Sequence, residues 1–319
     1  MTDINKIKKA FKNSISIDLN NHISNHWKWF LDKKEFNFDQ LQNFRNNDLS
    51  KGHDDSNYID EKSFKILVKK ILEIIDKEFF VKNLKKKNVG NLKNLFDFEG
   101  KKIDPGDISL IKYLYDLEQN IFKKDKIDVV CEIGGGYGGF AEKILNNFDT
   151  KFISIDLPQT NILSTYYLAE NFPNKNIFTL EKNHKEINSD ILKSYDILIL
   201  PPTIKFTNFK VDLFINTRSM MEMNKSIIDY YFKFIENNIK KDGYFFNSNR
   251  YVKKSLGEAV YFKDYPYDKK WKIISSEKTF AQQHIHQLIT KRHTTEDHYD
   301  EFQKEMENIS NETLNYIQW

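Results

Sequence analysis

The sequence predicts an α/β fold built on a mostly parallel sheet, and three observations support this. The run Asp128-Val-Val-Cys-Glu-Ile-Gly-Gly-Gly-Tyr-Gly-Gly139 reads as a buried strand that passes straight into a glycine-rich turn. The segment from Gly139 to Phe148 sets Phe140, Ile144, Leu145 and Phe148 on one helical face, as a crossover helix on a parallel sheet requires. A second strand, Phe152-Ile-Ser-Ile-Asp156, then ends in a carboxylate. Strand, glycine loop, helix, strand and terminal acid make a Rossmann-like unit of the kind that holds a nucleoside cofactor.

Gly134, Gly136 and Gly139 satisfy the G-x-G-x-x-G spacing, with Gly135 and Tyr137 between them. That spacing serves a dinucleotide as well as S-adenosylmethionine, because both need close backbone approach at a helix N-terminus. Glu132, two residues before Gly134, shifts the balance. A carboxylate there would face a pyrophosphate, whereas a cationic methionine moiety would welcome it. Asp156, with Leu157 beside it, is placed to accept two ribose hydroxyls. The alternative is an α/β sheet with acidic strand ends by coincidence, which would need glycine density, acid position and spacing to agree by chance.

Three segments carry a family resemblance: Cys131-Glu-Ile-Gly-Gly-Gly-Tyr-Gly138, Ile155-Asp-Leu-Pro158 and Phe214-Ile-Asn-Thr-Arg-Ser-Met-Met-Glu-Met223. Over about residues 105–292 the chain resembles a bacterial family of sugar O-methyltransferases, within the class I methyltransferases that use S-adenosylmethionine. The first two motifs are common among methyltransferases. The third is the specific one, and the sugar assignment rests mostly on it. The resemblance implies S-adenosyl-L-methionine as cofactor, a class I methyltransferase fold with a seven-stranded sheet, and a sugar or nucleotide-sugar acceptor, as in capsular polysaccharide biosynthesis.

Composition agrees with that reading. A chain of 319 residues, 39% hydrophobic and 14% aromatic, can bury one large core plus an accessory region. A net charge of +3 is too small to argue for nucleic acid. The single cysteine, Cys131, lies in a predicted strand as a small buried hydrophobe. Met1 to Lys12 is charged rather than apolar, and no stretch has the length to span a bilayer, so a cytoplasmic location is expected. Asn308-Ile-Ser and Asn311-Glu-Thr match glycosylation acceptors and are read as chance without an export signal.

In chain order, residues 1–104 read as a helical accessory or substrate-cap region, with helical apolar spacing at Phe64, Leu67, Ile71, Ile74 and Ile75. The polar stretch 51–57 is expected to link helical segments. The run Lys82-Asn-Leu-Lys-Lys-Lys87 can meet phosphates of a nucleotide-linked sugar, but a solvated helix face is favoured. Ile103-Asp-Pro-Gly106 marks a turn before a helix, Ile108 to Ile121, at the start of a catalytic domain spanning 105–292. Thr160 to Phe172 reads as a helix, while Ile177 to Leu180 and Asp196 to Leu200 read as strands, one of them an addition to the basic sheet. Leu200-Pro-Pro-Thr203 lacks both ends of the Asn/Asp-Pro-Pro-aromatic motif that holds a planar nitrogen, which lowers amino-group methylation. Val211 to Asn216 is the fourth core strand, followed by a helix at Ser226 to Lys240, and Tyr244 to Asn249 is the fifth. Trp271 to Ser275 and His286 to Thr290 complete seven strands as an antiparallel pair. The tail 293–319 reads as a terminal helix serving as a lid, a surface helix or a homodimer contact.

Strand-end loops on one edge of such a sheet are where substrate meets cofactor. Asn216 and Thr217 are candidates for the methionine end, and Arg218 and Ser219 for the acceptor. Asn247, Asn249 and Arg250 are candidate sugar contacts. Glu222 is a candidate sugar ligand or base, or equally an acid favoured by a helix dipole. His284 and His286, spaced as same-face strand residues, are candidate bases, although each alone is more often structural. No carboxylate cluster is legible as a metal site, so metal independence is expected. Competing readings are a nicotinamide-dependent sugar oxidoreductase, for which no Tyr-x-x-x-Lys dyad stands at the fourth strand, a methyltransferase for nitrogen or a non-sugar acceptor, and a binding protein without turnover.

Overall fold

The computed structural model describes residues 4–16, 19, 22–31, 38–47, 49, 56–180, 184–254 and 258–317, so most of the expected linker 51–57 lies outside the described residues. The central sheet has strands β1 (Val129–Ile133), β2 (Lys151–Ile155), β3 (Ile177–Thr179), β4 (Ile197–Leu200), β5 (Val211–Thr217), β6 (Ile239–Arg250), β7 (Trp271–Lys278) and β8 (Ile285–Arg292). Their spatial order is β7-β8-β6-β5-β1-β2-β4-β3. Strands β1 to β6 run parallel, β8 pairs antiparallel with β6, and β7 antiparallel with β8. This is the expected mostly parallel, Rossmann-like α/β sheet, its eight strands being the seven of the basic sheet and the expected addition.

The extra strand has a simple physical origin. Ile197-Leu-Ile-Leu200 is apolar on both faces and fully buried, which suits an inner place beside β2. The shorter, half-buried Ile177–Thr179 is left at the edge.

The helices are α1 (Ile4–Ile15), α2 (Asn25–Leu31), α3 (Glu61–Leu72), α4 (Lys77–Lys82), α5 (Asp107–Leu117), α6 (Gly139–Asn147), α7 (Pro158–Asn171), α8 (Ser189–Ser194), α9 (Lys225–Asn238) and α10 (Tyr299–Leu314). On one face of the sheet Cys131, Ile153, Leu198, Phe214 and Phe245 pack with Ile228, Phe232 and Ile235 of α9. On the other, Val130, Phe152, Leu213 and Phe246 pack with Leu114 of α5, Ile144 of α6 and Leu163 of α7. Each α/β layer thus buries the alternate residues of the same strands. The tail helix α10 lies over this chain's own sheet, burying Phe302 and Ile309. The N-terminal third is mostly helical, with one hairpin, Phe96–Phe98 with Lys101–Ile103. None of its described helices, nor any other described helix, is long and apolar enough to cross a membrane.

A buried ionic network ties that N-terminal third to the glycine-loop unit. Arg45 donates to Asp104 at 2.7 Å, Lys85 bridges Asp104 at 2.5 Å and Asp107 at 3.5 Å, and Lys143 of α6 reaches Asp107 at 2.9 Å. Ser56 donates to Asp104 at 2.6 Å, and the Tyr167 hydroxyl of α7 donates to Glu142 of α6 at 2.9 Å. Three cations face three carboxylates, all nearly without exposure, so every charge removed from water has an opposite neighbour. The two cations beside Asp104 hold its carboxyl far below the usual range despite burial, and Lys85 is correspondingly held charged. Removing one partner strands the rest. The Asp104→Asn change is expected to lower the unfolding free energy by about 3–5 kcal/mol in a urea titration, and a loss under about 1 kcal/mol would contradict the network's role.

Candidate active site

The carboxyl ends of β1, β2 and β5 meet where the strand order reverses, the place at which open α/β sheets bind ligands. After Ile133 the chain turns through Gly134 at φ 75°, a left-handed conformation open to glycine. A Cβ at Gly134 would also lie 1.9 Å from the Ser219 hydroxyl, so two loops press together there. Asp156, at the tip of β2, shapes the glycine loop. Its carboxylate accepts the Gly136 N–H at 2.9 Å and its neighbour Leu157 N–H at 2.7 Å, with the Thr160 side chain as a further donor. A carboxylate offers about four acceptor positions, so these bonds leave capacity for a ligand hydroxyl. Burial lifts the Asp156 carboxyl to about 7, against the pull of those hydrogen bonds.

Glu132 lies under the loop, not in the open groove. It is 1% exposed, and its Oε2 has no hydrogen-bond partner. A Cβ on Gly135 would meet that oxygen at 2.9 Å and the equally buried, unpartnered Ser154 hydroxyl at 2.8 Å. Burial first, and the Asp156 charge second, raise the Glu132 carboxyl to about 8. Two buried polar atoms and a glycine floor that excludes any side chain thus lie directly beneath the loop. These features fit a nucleoside cofactor, toward which Asp156 keeps acceptor positions for a hydroxyl. Tyr137 turns the other way, its hydroxyl accepting from Lys85 at 2.7 Å within the ionic network.

The three expected asparagines form a buried chain. Asn216 donates to the Ile133 carbonyl at 2.7 Å and accepts from Met220 N–H and from Asn249, the latter at 2.8 Å. Asn249 also donates to Asn247 at 2.6 Å and accepts from Met221 N–H, and Asn247 donates to the Tyr267 hydroxyl at 2.8 Å. All three are 0% exposed. The arrangement gives them the task of fixing the β1, β5 and β6 ends and the Met220–Glu222 turn relative to one another. Thr217, Arg218 and Ser219 stand above them, half-buried at the end of β5.

The two expected histidines part company. His286 is 3% exposed, its Nδ1 is 2.9 Å from the Tyr251 hydroxyl and its Nε2 2.9 Å from the Ser276 hydroxyl, which donates to Glu305 of α10. Both ring nitrogens are engaged, and burial lowers its proton affinity to about 4, so it is neutral and structural at pH 7. His284 is half-buried in the turn before β8, where burial and the charges of Arg250 and Arg218 lower its proton affinity. Glu222 is half-buried and ion-paired with Lys253.

One further histidine near these strand ends had no sequence signal. Helix α2 docks by the Asn25 N–H on Asn224 at 3.3 Å, and His22 sets its ring edge on Tyr230, whose hydroxyl donates to the Pro202 carbonyl at 2.8 Å. His26 thereby enters the fields of Glu222 and Lys253. Burial lowers its proton affinity more than Glu222 raises it, leaving the imidazole neutral at pH 7. A cavity of about 250 Å³ between α1 and the end of α7, lined by Ile7, Thr165 and Pro173, lies apart from these strand ends.

No family model matches the chain, and no curated protein matches it. Among solved structures, it is similar to the mitomycin 7-O-methyltransferase MmcR at 12% identity and a TM-score of 0.39, covering 59% of this chain and 55% of that one. It is similar to the pyocyanin biosynthetic protein PhzM at 9% and 0.37, covering 59% and 58%. An O-methyltransferase family protein from Burkholderia thailandensis is similar at 11% and 0.36, again covering 59% and 58%. The likeness thus takes in little more than half of each of those chains. At this identity and superposition it adds nothing to what the strand order itself establishes.

The raised carboxyls make stability depend on pH. Glu132, near 8 when folded against about 4 unfolded, keeps a proton that the unfolded chain has already released at neutral pH. Its contribution is full below the unfolded value and is lost as pH rises through about 8. Thermal melts of the ligand-free chain should therefore fall from pH 6 to pH 9, and Glu132→Gln should flatten that fall. An unchanged slope in the variant would contradict the buried position of Glu132.

Proposed function

We propose that the chain is an S-adenosylmethionine-dependent O-methyltransferase acting on a hydroxyl of a sugar, free, nucleotide-linked or within a glycan. The convergence of three carboxylates at the cofactor end supports this reading. Burial is the first cause that raises both Glu132 and Asp156; Asp156 then adds to the rise of Glu132, and Glu222 to that of Asp156. A ligand bearing a sulfonium and an ammonium would draw the protons off these acids and pair with the charges so formed, whereas the pyrophosphate of a nicotinamide dinucleotide would hold them protonated. The sugar assignment is supported by the resemblance carried by Asn216 to Met223.

When bound, S-adenosylmethionine would supply a methyl group on a sulfonium, the methyl–sulfur bond breaking as the sulfur departs as the neutral thioether of S-adenosylhomocysteine. Asp156 would hold the ribose, the glycine loop would let the backbone come close, and α2 would cover the site against water. The acceptor hydroxyl must lose its proton as its oxygen bonds to carbon. His26, neutral at pH 7, is the proton acceptor of this scheme, in the opposed fields of the Glu222–Lys253 ion pair.

Calorimetric titration with S-adenosylhomocysteine and, in parallel, with nicotinamide dinucleotides tests the cofactor. Micromolar binding of the first alone is expected, and binding of a dinucleotide alone would replace this reading with the oxidoreductase one. With an acceptor found by screening sugars and nucleotide sugars, His26→Ala should lower turnover about 100-fold or more while leaving S-adenosylhomocysteine affinity unchanged. Undiminished turnover would remove His26 as the base.

A further inference from the structure

Helix α1 packs along α7 beside the edge strand β3, and the three do not close completely on one another. Ile7 of α1, Ala169 of α7 and Ile177 of β3, with Phe172 and Pro173 from the turn between the last two, wall the cavity of about 250 Å³. Thr165 and Thr179 bring it two hydroxyls. The Thr165 hydroxyl donates to the Asn161 carbonyl one turn back in α7 at 2.6 Å, so its oxygen is left to accept.

The rim of this cavity is basic. Lys6 of α1 and Lys175 before β3 line it together with one carboxylate, Glu170. Lys87 comes to the same rim from the basic run 82–87, donating to the Glu170 carbonyl at 2.8 Å. Neither Lys87 nor the half-buried Lys175 has an ion pair among the described residues. Two ammonium groups thus stand without a carboxylate at the mouth of a mostly apolar chamber.

Size and lining choose the ligand. A dry cavity of about 150 Å³ takes benzene, so about 250 Å³ holds one ring with a substituent. A sugar ring would bring more hydroxyls than two threonines can satisfy, and each one buried without a partner opposes binding. An aromatic ring brings none and packs on Ile7, Phe172 and Ile177. A negative charge on that ring would meet Lys87 and Lys175 at the mouth. At 1.5 Å per residue, Ala169 stands about 16 Å along α7 from Pro158, so the cavity is remote from the strand end that carries Asp156.

We infer that this cavity is a second ligand site, taking a small aromatic anion, a carboxylate or a phosphate monoester, apart from the cofactor groove. The site stands whether or not the strand ends hold S-adenosylmethionine. Ammonium groups act as point charges and serve either anion.

The test is calorimetry on the full chain, with 4-hydroxybenzoate in one arm and phenyl phosphate in the other, each with and without saturating S-adenosylhomocysteine. One of the two should bind at a single site, unaffected by S-adenosylhomocysteine and about tenfold or more tighter than glucose 1-phosphate. Lys175→Gln, which removes a charge at the mouth, and Ala169→Phe, which fills the chamber, should each weaken binding about tenfold or more. Equal melting temperatures of the variants and the wild type report an intact fold. If neither aromatic anion binds, if glucose 1-phosphate binds as tightly, or if both variants bind as well as wild type, the site is overturned. Displacement of the probe by S-adenosylhomocysteine would put it at the strand ends and overturn the site equally.

Discussion

Everything at the site hangs on one carboxylate accepting one backbone N–H. Asp156 takes the Gly136 N–H across the gap between two strand ends, while the Gly134 N–H donates to the Ile155 carbonyl just before it. These bonds fold the glycine loop back onto β2 and set the start of α6. The loop can close this tightly because Gly134 has no side chain to strike Ser219, which locks the end of β5 to the same point. The β1, β2 and β5 ends are thus fixed together before any ligand arrives. The acid that does this is lifted by burial to about 7, near the pH at which it would be used.

Charge is sorted across the sheet. Glu132 and Asp156 gather under the β1 and β2 ends, Glu222 pairs with Lys253 beyond β5, and Arg218, Arg250 and His284 lie at the β5, β6 and β8 ends. Between them the chain of Asn216, Asn249 and Asn247 spans the strands without net charge. This hydrogen-bonded layer holds the strand-end loops in register. The ionic network of Arg45, Lys85, Asp104, Asp107 and Lys143 does comparable work behind the loop, fastening the N-terminal third to α6. Lys85 also holds Tyr137, so the cap and the glycine loop share one anchor.

The β1–α6–β2 unit and the antiparallel β7–β8 pair were legible in the sequence, because both follow from local signals: alternating or continuous apolar runs, glycine spacing and a strand-end acid. The place of Ile197–Leu200 was not, since a short apolar run does not say which neighbour it will pair with. Side-chain direction was the harder matter. Asn247 and Asn249 read as polar strand-end residues, but register turns them into the sheet's own hydrogen-bond chain. His284 and His286 read as a same-face pair, yet His284 sits in the turn before β8 and His286 is enclosed by Tyr251, Ser276 and the tail helix. His26 had no local signature, because its relation to Glu222 exists only once α2 docks on Asn224.

The central claim is that Asp156 belongs to a nucleoside cofactor as well as to the loop. The most direct measurement is the affinity of S-adenosylhomocysteine for wild type and for Asp156→Asn, with thermal melting to report folding. Loss of a charge-assisted bond to a ribose hydroxyl predicts about 10- to 100-fold weaker binding by a chain that still folds. Equal affinity in the two proteins would contradict the account, leaving Asp156 as a clasp of the loop alone.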